Sequence, residues 1–576
     1  MSPNIHNNNS HRLREIFISF SAALFYSAPF LVRMKYWGIH DWELFTAMGE
    51  IPRTLIFQFG QFPFWNPYIG GGNILFHHPE VAVLSPLYLL PLLFGAVVGL
   101  KLMVFVCYFL GFWGSVRFAR ALNVSELGAY LFSAIYFGGT YFAMHFAEGH
   151  IPFTHFCFLP WIGYFWLRSL SANSGGRKNL LWGALMMALM ILGNGAAAPF
   201  LLTVTFLSAL CAIYCFTERS VKPALSLMTI VFFGVALAAI KFVPMLNYLL
   251  ANPWVGEDSE VTPIAMIPAA FFGFEHSLYS FKELVLTRGW HEYSAYISPL
   301  AILLGLWFLI RKFRAGLPWL ALAALFFVIG LGGFAEWSPW TLLSHLPGYA
   351  SSRSPARLFQ FVTFAVGILA AFGFDQLRRE DFFGKLKPQM QKYSIVTIIA
   401  IIAGCNLLLA HQSLSESFVR LPVETSWNDE FKQRMGDPFK VYLAVKENRG
   451  TISAPWLSAY QEGRGLVTPE GQILNEYALS GRSIIDFREF NGNEILIRIA
   501  SPDTGALALG MGFDPGWKVI QPEGWEVREE QGLVAIAFGA GKNMARILYR
   551  PPLFGIGLTI SLLACALFGF LFWRWR

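Results

Sequence analysis

Charge is scarce in this chain. Only 14% of its 576 residues are Asp, Glu, Lys or Arg, against 55% hydrophobic and 16% aromatic. A soluble protein of this length could not hide so much apolar surface. The apolar residues fall in repeated runs of about 17–25, the length that spans the hydrocarbon core of a bilayer. Cysteine is scarce too. Cys107, Cys157, Cys211, Cys215, Cys405 and Cys565 all lie in apolar runs, and none falls between His411 and Arg550. That excludes a disulfide framework in the long polar region, and no spacing resembles a zinc or iron–sulfur site. The formal net charge of +7 does not point to nucleic acid. The basic residues sit in short clusters between apolar runs, which is the positive-inside pattern. Internal repeats are lacking, and so are low-complexity tracts beyond the Asn-rich start.

What is present reads as a polytopic α-helical membrane protein of about 12–13 membrane helices. The candidates are 15–34, 81–99, 101–119, 127–146, 152–168, 179–193, 196–216, 223–249, 293–311, 317–332, 356–375, 394–410 and 552–574. The first has no clear small-residue cleavage site and reads as a retained helix rather than a signal peptide. Segment 81–99 carries Pro86 and Pro91. Either it is a broken or re-entrant helix lining a cavity, or it crosses and one basic pair, Arg117 and Arg120, breaks the charge rule. The expected division is a membrane domain over 1–410 with outer loops 35–80, 250–292 and 333–355. A β-rich domain outside the membrane follows over 411–551, and a closing helix over 552–576. In the β-rich part, ILIRIA (495–500), ALALGM (506–511), LVAIAF (533–538) and ARILY (545–549) alternate at period two, as strands do.

The stretch His40 to Pro86 is too polar and too rich in Gly and Pro to continue through lipid as a helix. Asp41 stands just past the first membrane segment. A carboxylate there is costly to desolvate, so it faces water or does work. It could be a general base for an acceptor hydroxyl, a ligand to a metal or donor sugar, or simply a helix cap. Downstream come the turn at Trp65 and Asn66, three glycines (Gly70 to Gly72), and the adjacent His77 and His78, of which at most one can face a site. A second polar knot holds His145, Glu148 and His150 among aromatics. The intervals of five are not those of a helical metal pair, so a base, a phosphate contact and a merely hydrogen-bonded histidine all remain open. Arg353 and Arg357 share one helical face at the mouth of a helix starting near Ser354. They lie on the side where basic residues are rare. A phosphate would explain them, held by guanidinium forks and a helix N-terminus; pairing with acids such as Glu336 is the alternative. Lys241, inside an apolar run, either snorkels or reaches the same anion. Loop 250–292 adds an acidic run at Glu257, Asp258 and Glu260, and the pairs Glu275/His276 and His291/Glu292 as substrate contacts.

These segments together resemble a known group. FGQFPFWNPYIGGGNILFHHPEVAVLSPLYLL, EGHIPFTHFCFLPWIGY, SSRSPARLFQFVTFAVGILAAFGFDQL and FDPGWKV, in that order between residues 40 and 574, are similar to the motifs of bacterial YfhO-type membrane proteins. Those are grouped with the GT-C glycosyltransferases. Where many of them have a Gly-His-Pro-Gln-like turn, this chain has GNGAAAPF (193–200), so no role is carried over there. The resemblance implies many membrane helices with a C-terminal β-domain in the bacterial cytoplasmic (inner) membrane, facing outward. It implies transfer of a sugar from a polyprenyl-phosphate donor to a glycan, lipid or protein acceptor outside the cytoplasm, with inversion. Asp41 matches by position the acidic residue that acts as base in the first outer loop. Arg353, Arg357 and His150 are then expected to hold the donor phosphate, and Glu148, His78, Trp65, Asn66 and His291 to line the substrate. No dedicated metal ligand set is evident, though magnesium or manganese would suit such chemistry. The rival expectations are a transporter or flippase of lipid-linked glycans and a non-catalytic envelope-assembly protein. All these groups should line one cavity.

Overall fold

The computed structural model describes residues 5–171, 175–252, 260–278, 288–346, 348–349, 354–380, 388–434, 440–452 and 476–575. Arg353, Glu257 and Asp258 lie outside the described residues.

The protein is mostly helical with a β-rich C-terminal part. Its helices begin with α1 (Ile5–Leu31), α2 (Asp41–Phe57), α3 (Leu89–Phe94), α4 (Ala96–Ala121), α5 (Glu126–Tyr136), α6 (Thr140–Glu148), α7 (Leu159–Leu170), α8 (Gly176–Leu192) and α9 (Ala198–Glu218). They continue with α10 (Lys222–Leu237), α11 (Ala239–Ala251), α12 (Ile267–Phe272), α13 (Pro299–Gly330), α14 (Pro339–Ser344), α15 (Phe359–Arg379), α16 (Pro388–Ser417), α17 (Val441–Lys446) and α18 (Phe554–Arg574). Among the described residues, six helices are long and apolar enough to cross a membrane, or seven if α10 and α11, bent by 90° at their junction, form one span. This is a multi-pass membrane protein. The segment that includes α15 is almost wholly buried and forms the centre of the bundle, whereas α18 lies at its edge.

Several sequence-predicted helices break. Segment 81–99 is not one helix: a short 3-10 turn (Pro86–Tyr88) leads into α3, and Gly95 at φ +81° separates α3 from α4. Proline removes helix donors and glycine takes a left-handed φ at no steric cost, so a clean span could not form. Segment 127–146 divides into α5 and α6 around Gly138 and Gly139, and 152–168 begins as a 3-10 helix (Ile151–Phe158) before α7. The two helices expected at 293–311 and 317–332 form one element, α13, kinked at Lys312. Loop 35–80 holds a helix that its polar residues concealed. In α2, Asp41 and Glu43 occupy the first turn, where carboxylates suit the helix dipole, and all but a few of the later side chains are buried.

Two unexpected charges within the bundle serve its connections. Lys101 donates to the carbonyls of Arg33, Met34 and Tyr36 and so fixes the link from α1 to α2. Lys241 donates to the carbonyls of Val81 (2.7 Å) and Gly193 (2.5 Å). The sequence left Lys241 between snorkelling and reaching an anion; backbone oxygens take its protons instead.

The β-rich part is two antiparallel four-stranded sheets. One has the order β10 (Val527–Glu530), β11 (Leu533–Phe538), β8 (Gly505–Gly512), β5 (Glu476–Ser480). The other runs β6 (Ile484–Asn491), β7 (Glu494–Ser501), β12 (Gly541–Tyr549), β9 (Trp517–Gln521). The four strand runs read from period-two alternation fall in β7, β8, β11 and β12. The downstream half of the first loop is stitched to this part. Strands β1 (Trp65–Asn66) and β2 (Asn73–Ile74) pair with each other. A parallel pair, β3 (Lys432–Arg434) and β4 (Arg449–Thr451), lies alongside, with Ile69 bridged to Thr451. The Gly512 N–H donates to the Gly71 carbonyl (2.8 Å), and the Asn493 side chain accepts from the Phe64 and Trp65 N–H groups. Trp65 packs its ring 4.7 Å from Tyr549 and 5.3 Å from Trp517.

Candidate functional site

A cluster of titratable side chains forms where the start of α2 meets the end of α6. His40, just before α2, has φ +53°, a conformation that costs a non-glycine residue on the order of 1–3 kcal/mol. Its side chain explains why it persists: Nδ1 lies 2.7 Å from Glu148 Oε2, at the end of α6. Gly149 closes α6 at φ +102°. A Cβ at that position would stand 2.2 Å from the Trp42 nitrogen, so only glycine lets the two chain segments touch. The Trp42 indole N–H donates to the Phe146 carbonyl at 2.8 Å and locks the same junction.

That contact sets Asp41 against His150, with Oδ2 and Nε2 3.2 Å apart. His150 passes the connection inward, because its Nδ1 is 2.8 Å from Nδ1 of the fully buried His145. One of those two nitrogens must carry the proton that the other accepts. His145 stacks on Phe153 (centroids 4.1 Å, 23° between planes), and its Nε2 is buried with no hydrogen-bond partner among the described residues. The loop before α13 completes the cluster. His291 lies between two carboxylates, 3.5 Å from Glu148 and 3.7 Å from Glu292. Glu292 accepts two hydrogen bonds from Arg357, one from Nε at 2.6 Å and one from Nη2. The guanidinium also lies over the Phe153 ring, 5.1 Å from its centroid. Arg357 reaches this point from a 3-10 turn (Pro355–Leu358) that opens the central helix.

The charges are coupled. Burial opposes ionisation of Asp41, but the hydrogen bond and charge of His150, with His291 beyond it, outweigh burial and hold the carboxyl below its usual range. Burial likewise opposes the charged form of His150, yet Asp41 and Glu292 raise it above an ordinary histidine. His40 is raised chiefly by its hydrogen bond to Glu148. His291 is lowered by burial and by its neighbour His150. Glu292 resists the cost of burial through the charge and hydrogen bonds of Arg357 and stays ionised far below the usual range. Asp41 and His40 are the accessible members, with side chains 39% and 34% exposed, while those of His150 and His291 are 13% and 12% exposed. The second oxygen of Asp41 has no partner among the described residues. The site can therefore offer one half-exposed carboxylate, fixed in place, backed by an imidazole pair and a buried guanidinium.

The sequence-predicted residues divide. Asp41, Glu148, His150, His291 and Arg357 come together. Arg353 lies outside the described residues. Trp65 and Asn66 do not join the cluster; they belong to the β1–β2 turn, where Asn66 Oδ1 accepts from the Tyr68 N–H (2.9 Å). His78 is buried and accepts from the Glu80 N–H (3.1 Å) in a turn of its own. His276 of the Glu275/His276 pair bonds Ser294 and the Gly273 carbonyl, which is a structural role. Glu292, which the sequence offered only as a weak substrate contact, is instead the partner of Arg357. The sole signal for it was an adjacent His-Glu in an aromatic stretch. Gly149 was not flagged.

No family model matches the chain, and no curated protein does. Solved structures are similar to it, among them three membrane transferases. One is the arabinofuranosyltransferase AftD from mycobacteria, at 14% identity and a TM-score of 0.43, over 70% of this chain and 27% of that one. This chain thus spans about a quarter of AftD. Another is ArnT from Cupriavidus metallidurans bound to undecaprenyl phosphate, at 15% identity and 0.43, over 93% and 98%. The third is the oligosaccharyltransferase AglB from Archaeoglobus fulgidus with an inhibitory peptide and a dolichol-phosphate, at 9% identity and 0.41, over 79% and 65%.

Proposed function

We propose that this protein is a YfhO-like, GT-C-type glycosyltransferase of the cytoplasmic membrane. It moves a sugar from a polyprenyl-phosphate carrier to an envelope acceptor on the outer side. The observation that carries this reading is Asp41, a half-exposed carboxylate whose one oxygen is held by His150 while the other is uncommitted. That is the equipment of a positioned general base. The donor class and the outward face come from the motif order between residues 40 and 574.

In the proposed reaction, the acceptor hydroxyl gives its proton to Asp41 as its oxygen attacks the anomeric carbon. The bond from that carbon to the phosphate oxygen breaks on the opposite face, so configuration inverts. Polyprenyl phosphate leaves with the bonding electrons. Arg357 spends two of its five N–H donors on Glu292, leaving others for a phosphate oxygen, with Arg353 as a further candidate. Positive charge there stabilises the leaving group as its charge develops. His150 keeps Asp41 ionised and oriented.

The test uses the purified protein in sealed lipid vesicles with a polyprenyl-phosphate sugar and a crude envelope acceptor fraction. Transfer by the wild type and its loss in Asp41→Asn is the expected result. Full transfer by Asp41→Asn removes Asp41 from the chemistry, and movement of intact donor across vesicles without transfer turns the assignment to a flippase.

A further inference from the structure

Glu80 lies in a turn whose backbone is held from several sides while its own side chain holds nothing. Its N–H donates to Nδ1 of His78 (3.1 Å), and its carbonyl accepts from the Asn194 side chain (2.7 Å). Lys241 gives its ammonium protons to the carbonyls on either side, Pro79 (3.4 Å) and Val81 (2.7 Å), and to Gly193 (2.5 Å). The half-buried Glu80 carboxylate has no hydrogen bond and no ion pair among the described residues. The Asp41 cluster is its electrostatic neighbour. Burial and the charge of Asp41 push the Glu80 carboxyl above its usual range, against the opposing pull of His150, Arg357 and Lys241. A second unused acceptor stands beside this turn. The Asn194 side chain is 5% exposed, and its Oδ1 has no hydrogen-bond partner among the described residues. Turning the amide over does not cure this, because its oxygen would then face the Glu80 carbonyl. Asn194 belongs to GNGAAAPF (193–200), the segment to which the motifs carried no role over. A fixed turn that presents one unpaired carboxylate beside one unpaired amide oxygen gains nothing for folding.

We infer that Glu80 and Asn194 Oδ1 bind the hydroxyl groups of a neutral sugar ring and so, resting on the transferase reading, select which donor sugar is used. Both groups are hydrogen-bond acceptors, so their ligand must bring donors. The phosphodiester of a lipid-linked sugar brings none, and the guanidinium of Arg357 suits it instead. An ammonium group brings donors, but Lys241 and Arg357 already supply positive charge within reach of Glu80 and oppose a third cation. Neutral hydroxyls remain. A carboxylate has two oxygens and can accept from two adjacent ring hydroxyls at once. Hydrogen bonds to the ionised form also favour it, which offsets the cost of its burial. A site of this kind discriminates strongly, because a sugar that lacks the hydroxyl leaves the acceptor unpaired. His78 and Lys241 are then positioning residues. They fix the turn that carries Glu80, through its peptide groups, and touch no sugar.

The decisive measurement is binding of methyl glycosides of glucose, galactose and mannose, each alone, to full-length protein in nanodiscs, with the methyl glycoside of glucosamine for comparison. No lipid donor and no acceptor are present, so the result stands apart from whether transfer is found. At least one neutral glycoside should bind saturably. Glu80→Ala and Asn194→Ala should each weaken it about tenfold or more, the worth of a hydrogen bond to a charged or buried group. Glu80→Gln, which keeps an acceptor oxygen, should weaken it less. Glu523→Ala, at an exposed acid in the β-rich part, should leave it unchanged. Thermal unfolding separates binding from folding: Glu80→Ala should keep or raise the Tm, because its carboxylate supports no contact, and a lower Tm would make it a structural partner instead. In the transfer assay, the same variant should raise KM for the sugar donor about tenfold and leave the affinity for bare polyprenyl phosphate as it is. Saturable binding by none of the neutral glycosides, equal binding by Glu80→Ala, tighter binding of the glucosamine glycoside than of the glucose one, or an equal loss of affinity for bare polyprenyl phosphate overturns the site.

Discussion

The stretch from His40 to Pro86 contains two halves with opposite employment. The upstream half, His40 to Phe57, is helical and presents Asp41 to His150 at its first turn. The downstream half, Gln58 to His78, has more aromatic residues and more glycine, yet it carries no member of the charge cluster. It is packed onto the sheets, with Trp65 against Trp517 and Tyr549 and Gly71 bonded to Gly512. A polar, Gly-rich, aromatic loop thus holds two unlike functions. Side-chain type alone did not distinguish the half that joins the charge cluster from the half that packs on the sheets.

Mutations should separate these halves. The largest effect is expected for Asp41→Asn, which should lower transfer about 10²–10⁴-fold, the usual worth of a general base, without lowering Tm by more than a degree or two. Trp65→Ala should do the reverse. Removing a large, fully buried ring costs about 3–5 kcal/mol, read as a lower unfolding midpoint for the β-rich part, while activity per folded molecule stays near wild type. Transfer lost in proportion to Asp41→Asn would mean that the two halves are one site. Gly149→Ala lies on the boundary. Its new Cβ collides with the backbone of Asp41 and Trp42 at a left-handed φ, so the protein should lose about 1–3 kcal/mol and a tenfold or larger share of transfer, through displacement rather than loss of a group.

The smallest effect is one of pH. Asp41 is depressed, so its contribution to stability is complete above the usual carboxylate range near pH 4 and fades as pH falls through its lowered value. His150 is raised, so its contribution is complete below about pH 6.5 and fades as pH rises through its higher value. The Tm difference between wild type and Asp41→Asn should therefore be widest between about pH 4 and 6.5 and narrow on both sides. A flat difference would show that the pair contributes nothing to folding.

Much of the fold was legible because hydrophobic period is a direct record of burial. The strands β7, β8, β11 and β12 and the long apolar helices follow from it. What escaped were the breaks. α5 and α6 read as one continuous run because a bend buried among other helices leaves no polar mark in the sequence, and at the α10–α11 bend the one mark, Lys241, pointed to snorkelling or an anion and not to a break. In the site, Asp41, His150 and Arg357 stood out because each is an ionisable group where such groups are expensive. Their convergence was stated only as a requirement. Trp65 and Asn66 misled for a physical reason: a buried aromatic at a domain contact and one at a sugar site have the same composition. Glu292 was undervalued because its partner is 65 residues away, and no local spacing reports such a pair.

Gly149 carries a consequence of a different kind. Because Gly149 meets the backbone of Asp41 and Trp42, the approach of α6 to the acid is set in part by peptide groups, which mutation of neighbouring residues does not change, alongside the side-chain contacts of His40 and Trp42. Relatives of this protein could therefore replace much of the aromatic packing around the site and change what fits beside it. The acid would keep its place as long as Gly149 stays without a side chain and the His40 and Trp42 contacts to α6 are kept.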